Sequence, residues 1–343
     1  MSKRRPVIAM TMGDPAGVGP EVCLKAALEV RVQKKCAPLI VGDMAVLRKH
    51  ARRLKIPARL ERIKDEVKLA QCEDSALTPV IDLKNVSPEH RVFARVLPEL
   101  GAAAGRYIEK AVSMARTGLV DAVATAPINK ESLQAGGYDY PGHTEMLADL
   151  CGGGRPVMML AHRGIRIAHI STHCPLRVAL RRVKRKRIIY VARVLDDALR
   201  LLDRKKPRIG VAGLNPHAGE AGLFGKEEVE EIAPAVADLR EMGVDAHGPE
   251  PPDTIFGKLR GGYYAGVVAM YHDQGHIPGK LMCFRFDSRG QASVRGVNVT
   301  LGLPIVRTSV EHGTGYPIAG QGIADPSSMA DALILAARLV GNV

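Results

Sequence analysis

Short apolar runs of strand character alternate with longer helical stretches along nearly the whole chain, and no other feature restricts the fold as much. Strands are expected over residues 7–12, 37–41, 79–83, 120–125, 208–212 and 266–271. Helical periodicity begins near residue 20, where Val22, Leu24, Ala27 and Leu28 share one side, and returns from residue 44 and over 94–117, 226–242 and 326–340. Residues 157–160 and 165–171, joined across Arg163-Gly164, read as a hairpin, followed by a basic helical stretch. Strands that alternate with helices build a largely parallel α/β sheet, whose reactive groups gather beyond the carboxyl ends of the strands. At 343 residues the chain exceeds the roughly 250–300 residues at which one core stops growing, so two domains are expected. No fixed-period repeat or low-complexity segment argues for a solenoid or a linker.

Composition narrows the function classes. With 46% hydrophobic and 25% charged residues the chain can bury a proper core. No apolar run approaches the roughly 20 residues of a membrane helix. The opening MSKRRP leads into a strand without a small-residue cleavage site, so a cytoplasmic protein with no membrane partner is expected. The six cysteines (Cys23, Cys36, Cys72, Cys151, Cys174 and Cys283) form no C-x-x-C pair, which argues against a zinc ribbon or a disulfide framework. A net charge of +13 attracts anions. The absence of Trp and an aromatic content of 4% leave few stacking platforms, so nucleic acid is not the expected partner. The basic run RVALRRVKRKR at 177–187, with Arg204, Lys205 and Lys206, reads as a solvated helix face.

Three histidines each follow an expected strand: His173, His217 and His272. Their wide separation excludes a single-helix metal motif, but loops leaving one sheet edge can gather them. Three imidazoles with one open position form a known catalytic metal arrangement; the alternative is that each histidine only hydrogen-bonds its own loop. The glycine-rich turn Gly13–Glu21 could present backbone N–H groups to an anion or serve as a tight turn alone. TAPINK at 125–130 and GHTE at 142–145 place donors in loops, although Asn129 could equally cap a helix. Lys280, Asn298 and Arg307 form a later group of donors. Arg307 lies in an otherwise apolar, strand-like run over 303–310, so it needs an anionic ligand or a structural carboxylate.

Taken together, GDPAGVGPE, TAPINK, GHTE, THCPL, GLNPHAGEAGLFGKEE, YHDQGHIPGK and VNVTLGLPIVRTSVEHGTGYPIAGQGIA closely resemble the 4-hydroxythreonine-4-phosphate dehydrogenase (PdxA) family. The resemblance runs from Gly13 to the last helix. It implies an isocitrate/isopropylmalate dehydrogenase-like fold, with two α/β domains and a cleft between them, rather than a Rossmann domain. Residues 1–128 with 300–343 would form the NAD-binding side, and residues 129–299 the metal, substrate and dimer side. NAD, with NADP as an alternative, would lie along Glu311, His312, Gly313, Thr314 and Asp325. Pro317 stands where isopropylmalate dehydrogenases often carry an acidic ribose-binding residue. One divalent metal (Zn, Mg or Co) would sit on His173, His217 and His272, and the substrate on His143, Thr144, Lys280, Asn298 and Arg307. Lys280 would also serve catalysis, and Asp273 is a candidate base or a support for His272. Family likeness further implies a homodimer with each site at the subunit interface.

The implied reaction oxidises the secondary alcohol of 4-phosphohydroxy-L-threonine to 2-amino-3-oxo-4-phosphohydroxybutanoate. This product then loses carbon dioxide to give 3-amino-2-oxopropyl phosphate, a step of pyridoxal phosphate synthesis. The alternative is oxidation of D-threonate or D-erythronate 4-phosphate in sugar-acid catabolism, to which His276 and the long 282–295 loop point. A dihydrodiol-oxidising branch ranks last because GHTE and TAPINK are intact. The rival of another class is a non-catalytic phosphate- or nucleic-acid-binding protein.

Overall fold

The structure, a computed structural model, describes residues 4–63, 77–203, 206–286 and 292–341. Two compact units are present: Met1–Pro156 with Ser293–Val297 and Leu303–Val343, and Val157–Ala292 with Asn298–Gly302. In chain order the elements are β1 (Val7–Thr11), α1 (Gly19–Ala27), α2 (Val30–Gln33), β2 (Ala37–Gly42), α3 (Met44–Arg53), β3 (Leu60–Arg62), β4 (Thr78–Asp82), α4 (Pro98–Arg116), β5 (Ala122–Thr125), α5 (Lys130–Ala135) and α6 (His143–Leu150). They continue with β6 (Val157–His162), β7 (Ile165–His169), α7 (Leu176–Arg182), α8 (Arg185–Asp203), β8 (Ile209–Ala212), α9 (Ala233–Glu241), β9 (Ala246–Glu250), α10 (Ile255–Arg260), β10 (Gly266–Ala269) and α11 (His272–Cys283). The last are β11 (Phe284–Phe286), β12 (Ala292–Val294), β13 (Val297–Leu301), β14 (Arg307–Val310) and α12 (Ser327–Leu339).

In the first unit the strands run β3-β4-β2-β1-β5-β14, with every neighbouring pair parallel. All five residues of β1 are buried, as expected of a strand covered on both faces, and so it reads as a continuous apolar run. Helices α4 and α12 pack on the sheet. On α4, Leu100, Ala104, Tyr107, Ile108, Ala111 and Met114 recur at helical spacing and are buried. In the second unit β13-β6-β7-β10-β8-β9 run side by side, β6 and β7 as the expected antiparallel hairpin and β7, β10, β8 and β9 in parallel. Ile167, Val267, Ile255, Leu259 and Tyr264 build one of its core clusters. The α/β expectation is met. No helix among the described residues is long and apolar enough to cross a membrane.

Three local expectations change. The helix expected over 226–242 opens with a wide π-type turn at Glu228–Ile232 and becomes α-helical at Ala233; Pro234 has no N–H to donate back into the preceding turn. Strand β9 was not expected, because its sequence AHGPE is polar and carries Gly and Pro. It is the last strand in its sheet order, where a missing N–H is tolerated. The run 303–310 is a strand only over Arg307–Val310, since Gly302 sits at φ +77 and Pro304 follows.

Helices α4 and α5 meet so closely that a methyl group at Gly101 would lie 1.7 Å from the Ser132 carbonyl oxygen. Replacing a helix-interior glycine by alanine ordinarily gains about 0.5–1 kcal/mol. Overpacking costs about 1–3 kcal/mol, more against backbone, so the clash wins here. Gly101→Ala is expected to lower the melting temperature. Gly257→Ala, in α10 with nothing within 4 Å of the added carbon, should raise it. Thermal denaturation of the two variants checks both signs.

Candidate functional site

Strands β7 and β10 are parallel neighbours with His169 opposite Ala269, so the loops that follow them leave the same edge side by side. This brings His173 and His272 together, with ring centroids 5.6 Å apart. Nδ1 of His272 lies 2.6 Å from Asp273 Oδ1. A carboxylate only accepts, so Nδ1 carries the hydrogen and Nε2 is the lone-pair nitrogen of the neutral ring. The same bond holds the Asp273 carboxyl below the usual carboxylate range. One turn along α11, His276 stacks on His272 at 3.8 Å and 8°. Its Nδ1 lies 3.1 Å from Nε2 of His169. Both of these rings are buried. Burial, with the charge of neighbouring groups, brings His169 down to about 3 and His276 down to about 4, so both are neutral near pH 7. Helix α11 approaches β7 this closely because residue 275 is glycine: a Cβ there would lie 2.4 Å from His169 Nε2. Sequence reasoning missed His169. Its signal was a histidine at the end of an otherwise apolar strand, and the i, i+4 spacing of His272 and His276 was the second clue.

His217 stands on an unusual turn. Residues 217–221 all have positive φ, between 40° and 79°, and only Gly219 among them is glycine. Left-handed backbone costs roughly 1–2 kcal/mol per non-glycine residue, so the turn must be held from outside. The buried Glu228 holds it: Oε1 accepts the N–H groups of Leu214 and Asn215, each at 2.7 Å, and Oε2 accepts Asn215 Nδ2 at 2.9 Å. His217 itself is exposed, with Nδ1 2.9 Å from Glu220 Oε1. His217 and His272 thus share one arrangement, a carboxylate on Nδ1, which is how metal-binding histidines are usually oriented. The donor chemistry fits a divalent ion. Among the described residues, however, no three His, Cys, Asp or Glu side chains are gathered to hold one; His217 does not join the other two.

In the first unit Arg307 opens β14, is buried, and donates from Nη2 to Thr125 Oγ1 at the end of β5 at 2.7 Å. Burial lowers its pKa to about 10 against the opposing pull of Glu311 and Glu145, so it stays cationic. His143 begins α6, whose N-cap is Gly142 without a side-chain cap, and Thr144 follows, half-buried. Burial first, then the charges of Arg307 and Lys130, pushes His143 well below its ordinary pKa. Its Nε2 is buried with no hydrogen-bond partner. Asn129 caps α5 through Ser132 N at 2.8 Å. In the second unit the Lys280 ammonium lies 5.6 Å over the Phe284 ring, and Asn298 Oδ1 is buried with no partner.

Among the expected cofactor residues, Nδ1 of His312 lies 2.9 Å from the Gly313 carbonyl oxygen, and its Nε2 is buried and unpartnered. Gly313 has open space beside it. Glu311 N–H donates to Ser328 Oγ, and Asp325 Oδ1 accepts from Ser327 N at the start of α12. The Thr314 carbonyl accepts Val18 N at 2.8 Å, and a Cβ on Gly17 would lie 2.8 Å from that oxygen. The glycines of the first turn therefore serve close backbone packing. The anion in that turn is the chain's own Asp14, which accepts Ala16 N at 2.8 Å and the Tyr316 hydroxyl at 2.7 Å. In the basic stretch, Lys184 pairs with Glu231, Arg185 with Asp238, and Arg187 Nε donates to the Ile170 carbonyl, as a solvated helix face does. Arg204, Lys205 and Cys72, and the 287–291 part of the long loop, lie outside the described residues.

The model of the family described as "Pyridoxal phosphate biosynthetic protein PdxA" matches residues 34–336. The D-threonate 4-phosphate dehydrogenase of Cupriavidus necator is 44% identical, covering 99% of this chain and 98% of its own. The crystal structure of a 4-hydroxythreonine-4-phosphate dehydrogenase from Burkholderia phymatum is 42% identical with a TM-score of 0.84, covering 98% of each chain. A terephthalate 1,2-cis-dihydrodiol dehydrogenase from Burkholderia xenovorans is more distant, at 31% identity and a TM-score of 0.68 over 99% of this chain and 98% of its own.

Because both Glu228 oxygens accept, Oε1 from two backbone N–H groups and Oε2 from Asn215 Nδ2, Glu228→Gln sets an amide NH2 against one of these donors in either orientation. The expected loss is about 1–3 kcal/mol. Chemical denaturation measures that loss, and limited proteolysis should newly cut within residues 214–225.

Proposed function

The chain belongs to the PdxA family, and we propose that it is a divalent-metal-dependent, NAD-linked dehydrogenase of a four-carbon hydroxy acid 4-phosphate. The observation that carries this reading is the pair of histidines, His217 and His272, each with a carboxylate on Nδ1 and Nε2 left to bind. It is supported by buried polar atoms that meet no hydrogen-bond partner among the described residues, His143 Nε2, Asn298 Oδ1 and His312 Nε2. Each costs about 1–3 kcal/mol when left unmet, a cost that a polar ligand removes.

In this reading His173, His217 and His272 hold the metal. When bound, the ion supplies a Lewis acid for the substrate hydroxyl, and NAD supplies the hydride acceptor. Arg307 and Lys280 provide fixed positive charge for the phosphate and carboxylate. His143, neutral through burial, and Thr144 donate or accept hydrogen bonds without adding charge. Asn298 binds a substrate hydroxyl. Asp273 orients His272, and with its carboxyl held ionised it is the candidate for taking the substrate proton. Glu311, His312, Gly313, Thr314 and Asp325 line the NAD side, with NADP as the alternative. Oxidation beside the carboxylate-bearing carbon gives a 3-oxo acid, which then loses carbon dioxide. The third metal ligand comes from a second copy of the chain, so the working form is a cytoplasmic homodimer. Such a dimer accounts for three histidines that do not gather within one chain.

The substrate we place first is a four-carbon sugar acid 4-phosphate of the D-threonate kind, because the curated relatives at 40–44% identity carry that activity in their names. The second reading is 4-phosphohydroxy-L-threonine, favoured by solved structures at up to 42% identity and by the family's own description. NADH formation by the purified protein with D-threonate 4-phosphate, D-erythronate 4-phosphate and 4-phosphohydroxy-L-threonine, each with and without chelator, separates them. A chelator-sensitive preference for a sugar acid is expected, a preference for the amino acid installs the second reading, and silence on all three sinks both.

His217→Ala is expected to abolish turnover and metal uptake while changing stability by less than about 1 kcal/mol, because the side chain is exposed. Arg307→Met should raise KM about tenfold or more, the loss of a charge-assisted hydrogen bond worth about 1.5–3 kcal/mol. Steady-state kinetics beside metal titration reads both.

A further inference from the structure

A cavity of about 820 Å³ opens in the first unit, lined by none of the residues assigned above to metal, substrate or cofactor. It lies where Asp43 follows β2 and Asp82 ends β4, on the carboxyl edge of the sheet, the edge at which α/β proteins bind ligands. Its size falls within the roughly 300–1,000 Å³ of small-molecule sites. Helix α3 contributes Arg48, Lys49, Arg52 and Arg53 to the lining. Arg62 enters from the end of β3, and Lys84 and Arg91 from the segment after β4.

Among the lining residues the acids are Asp43 and Asp82, and both are already engaged. Asp43 accepts Ala45 N, Val46 N and Val86 N, and Asp82 accepts Met44 N and pairs with Arg62. Among the described residues no carboxylate pairs with Arg48, Lys49, Arg52, Arg53, Lys84 or Arg91. Arg91 Nε is moreover buried without a hydrogen-bond partner. On α3, Arg48 with Arg52 and Lys49 with Arg53 are like charges at i, i+4, each pair costing the helix about 0.2–0.5 kcal/mol. Among the described residues these cations meet only neutral groups: Lys49 donates to the Arg91 carbonyl, Arg53 Nε to the Gly320 carbonyl and Arg91 Nη2 to the Val86 carbonyl, and Lys49 and Arg53 sit over the Phe93 ring. A multiply charged anion would supply the neutralising charge.

We propose that this cavity binds a polyphosphate-bearing small molecule, of the kind represented by a nucleoside triphosphate or an inorganic polyphosphate. The rows 48/52 and 49/53 set cations about 5–6 Å apart along the helix. A chain of linked phosphates meets several of them at once, where a single phosphate meets one or two. Guanidinium groups, which predominate here, bind phosphate oxygens in pairs. The walls carry no aromatic side chain, so recognition rests on charge rather than on a base.

The test is calorimetric titration of the full-length protein with inorganic tripolyphosphate and with ATP at about 0.15 M ionic strength, with orthophosphate and duplex DNA as comparisons. One site per chain is expected, with tripolyphosphate at least about tenfold tighter than orthophosphate and the Arg48→Ser/Arg52→Ser variant weakened by about tenfold or more. That variant relieves like-charge repulsion, so its melting temperature should hold or rise, which separates lost binding from lost folding. Arg181→Ser/Arg182→Ser, exposed on α7, should bind as the unaltered protein does. The proposal is overturned if no saturable binding occurs, if both double variants lose affinity equally, or if DNA binds as tightly as tripolyphosphate.

Discussion

Parallel pairing is the constraint on which everything else here depends. Because β7 and β10 run in the same direction, the chain leaves both at one edge, and His173 and His272 meet there although they are far apart in sequence. In the first unit Arg307 stands opposite Val123 in the parallel β14–β5 pair, and its long side chain reaches two residues along to Thr125 at the end of β5. A buried guanidinium is expensive to keep charged; the sheet offers it a hydroxyl at 2.7 Å, and Glu311 just past β14 and Glu145 on α6 lie within electrostatic reach. The fold supplies position, and burial then decides charge: Arg307 remains cationic while His143, His169 and His276 are held neutral.

The part of this that could be read from the sequence is the part governed by periodicity. Strands such as β1 and β5 are buried on both faces and appear as unbroken apolar runs, and α4 repeats its buried residues at helical spacing. β9 escaped because an edge strand needs neither apolar alternation nor a full set of N–H donors, and AHGPE has neither. The opening turn was half legible. Its glycines do mark close backbone approach, but Asp14 was not recognisable in advance as the anion that fills the turn.

For the candidate site, strand-end placement singled out His173, His217 and His272, and two of these come together in the chain. Its limits have a physical cause. The His169–His276 pair depends on contact across β7 and α11, which no local pattern encodes. The turn bearing His217 is built from residues that do not ordinarily adopt left-handed backbone, so composition gives no warning of it. The carboxylate that holds it lies seven residues beyond the turn, at the start of a wide helical turn that sequence reads as ordinary helix.

That left-handed turn also ties two distant positions together. Its backbone is uphill in the isolated segment and is offset where the Glu228 carboxylate closes on Leu214 and Asn215. The direction of the imidazole is therefore set by a carboxylate eleven residues away rather than by its own segment, and a change at Glu228 would be felt at His217 without touching it.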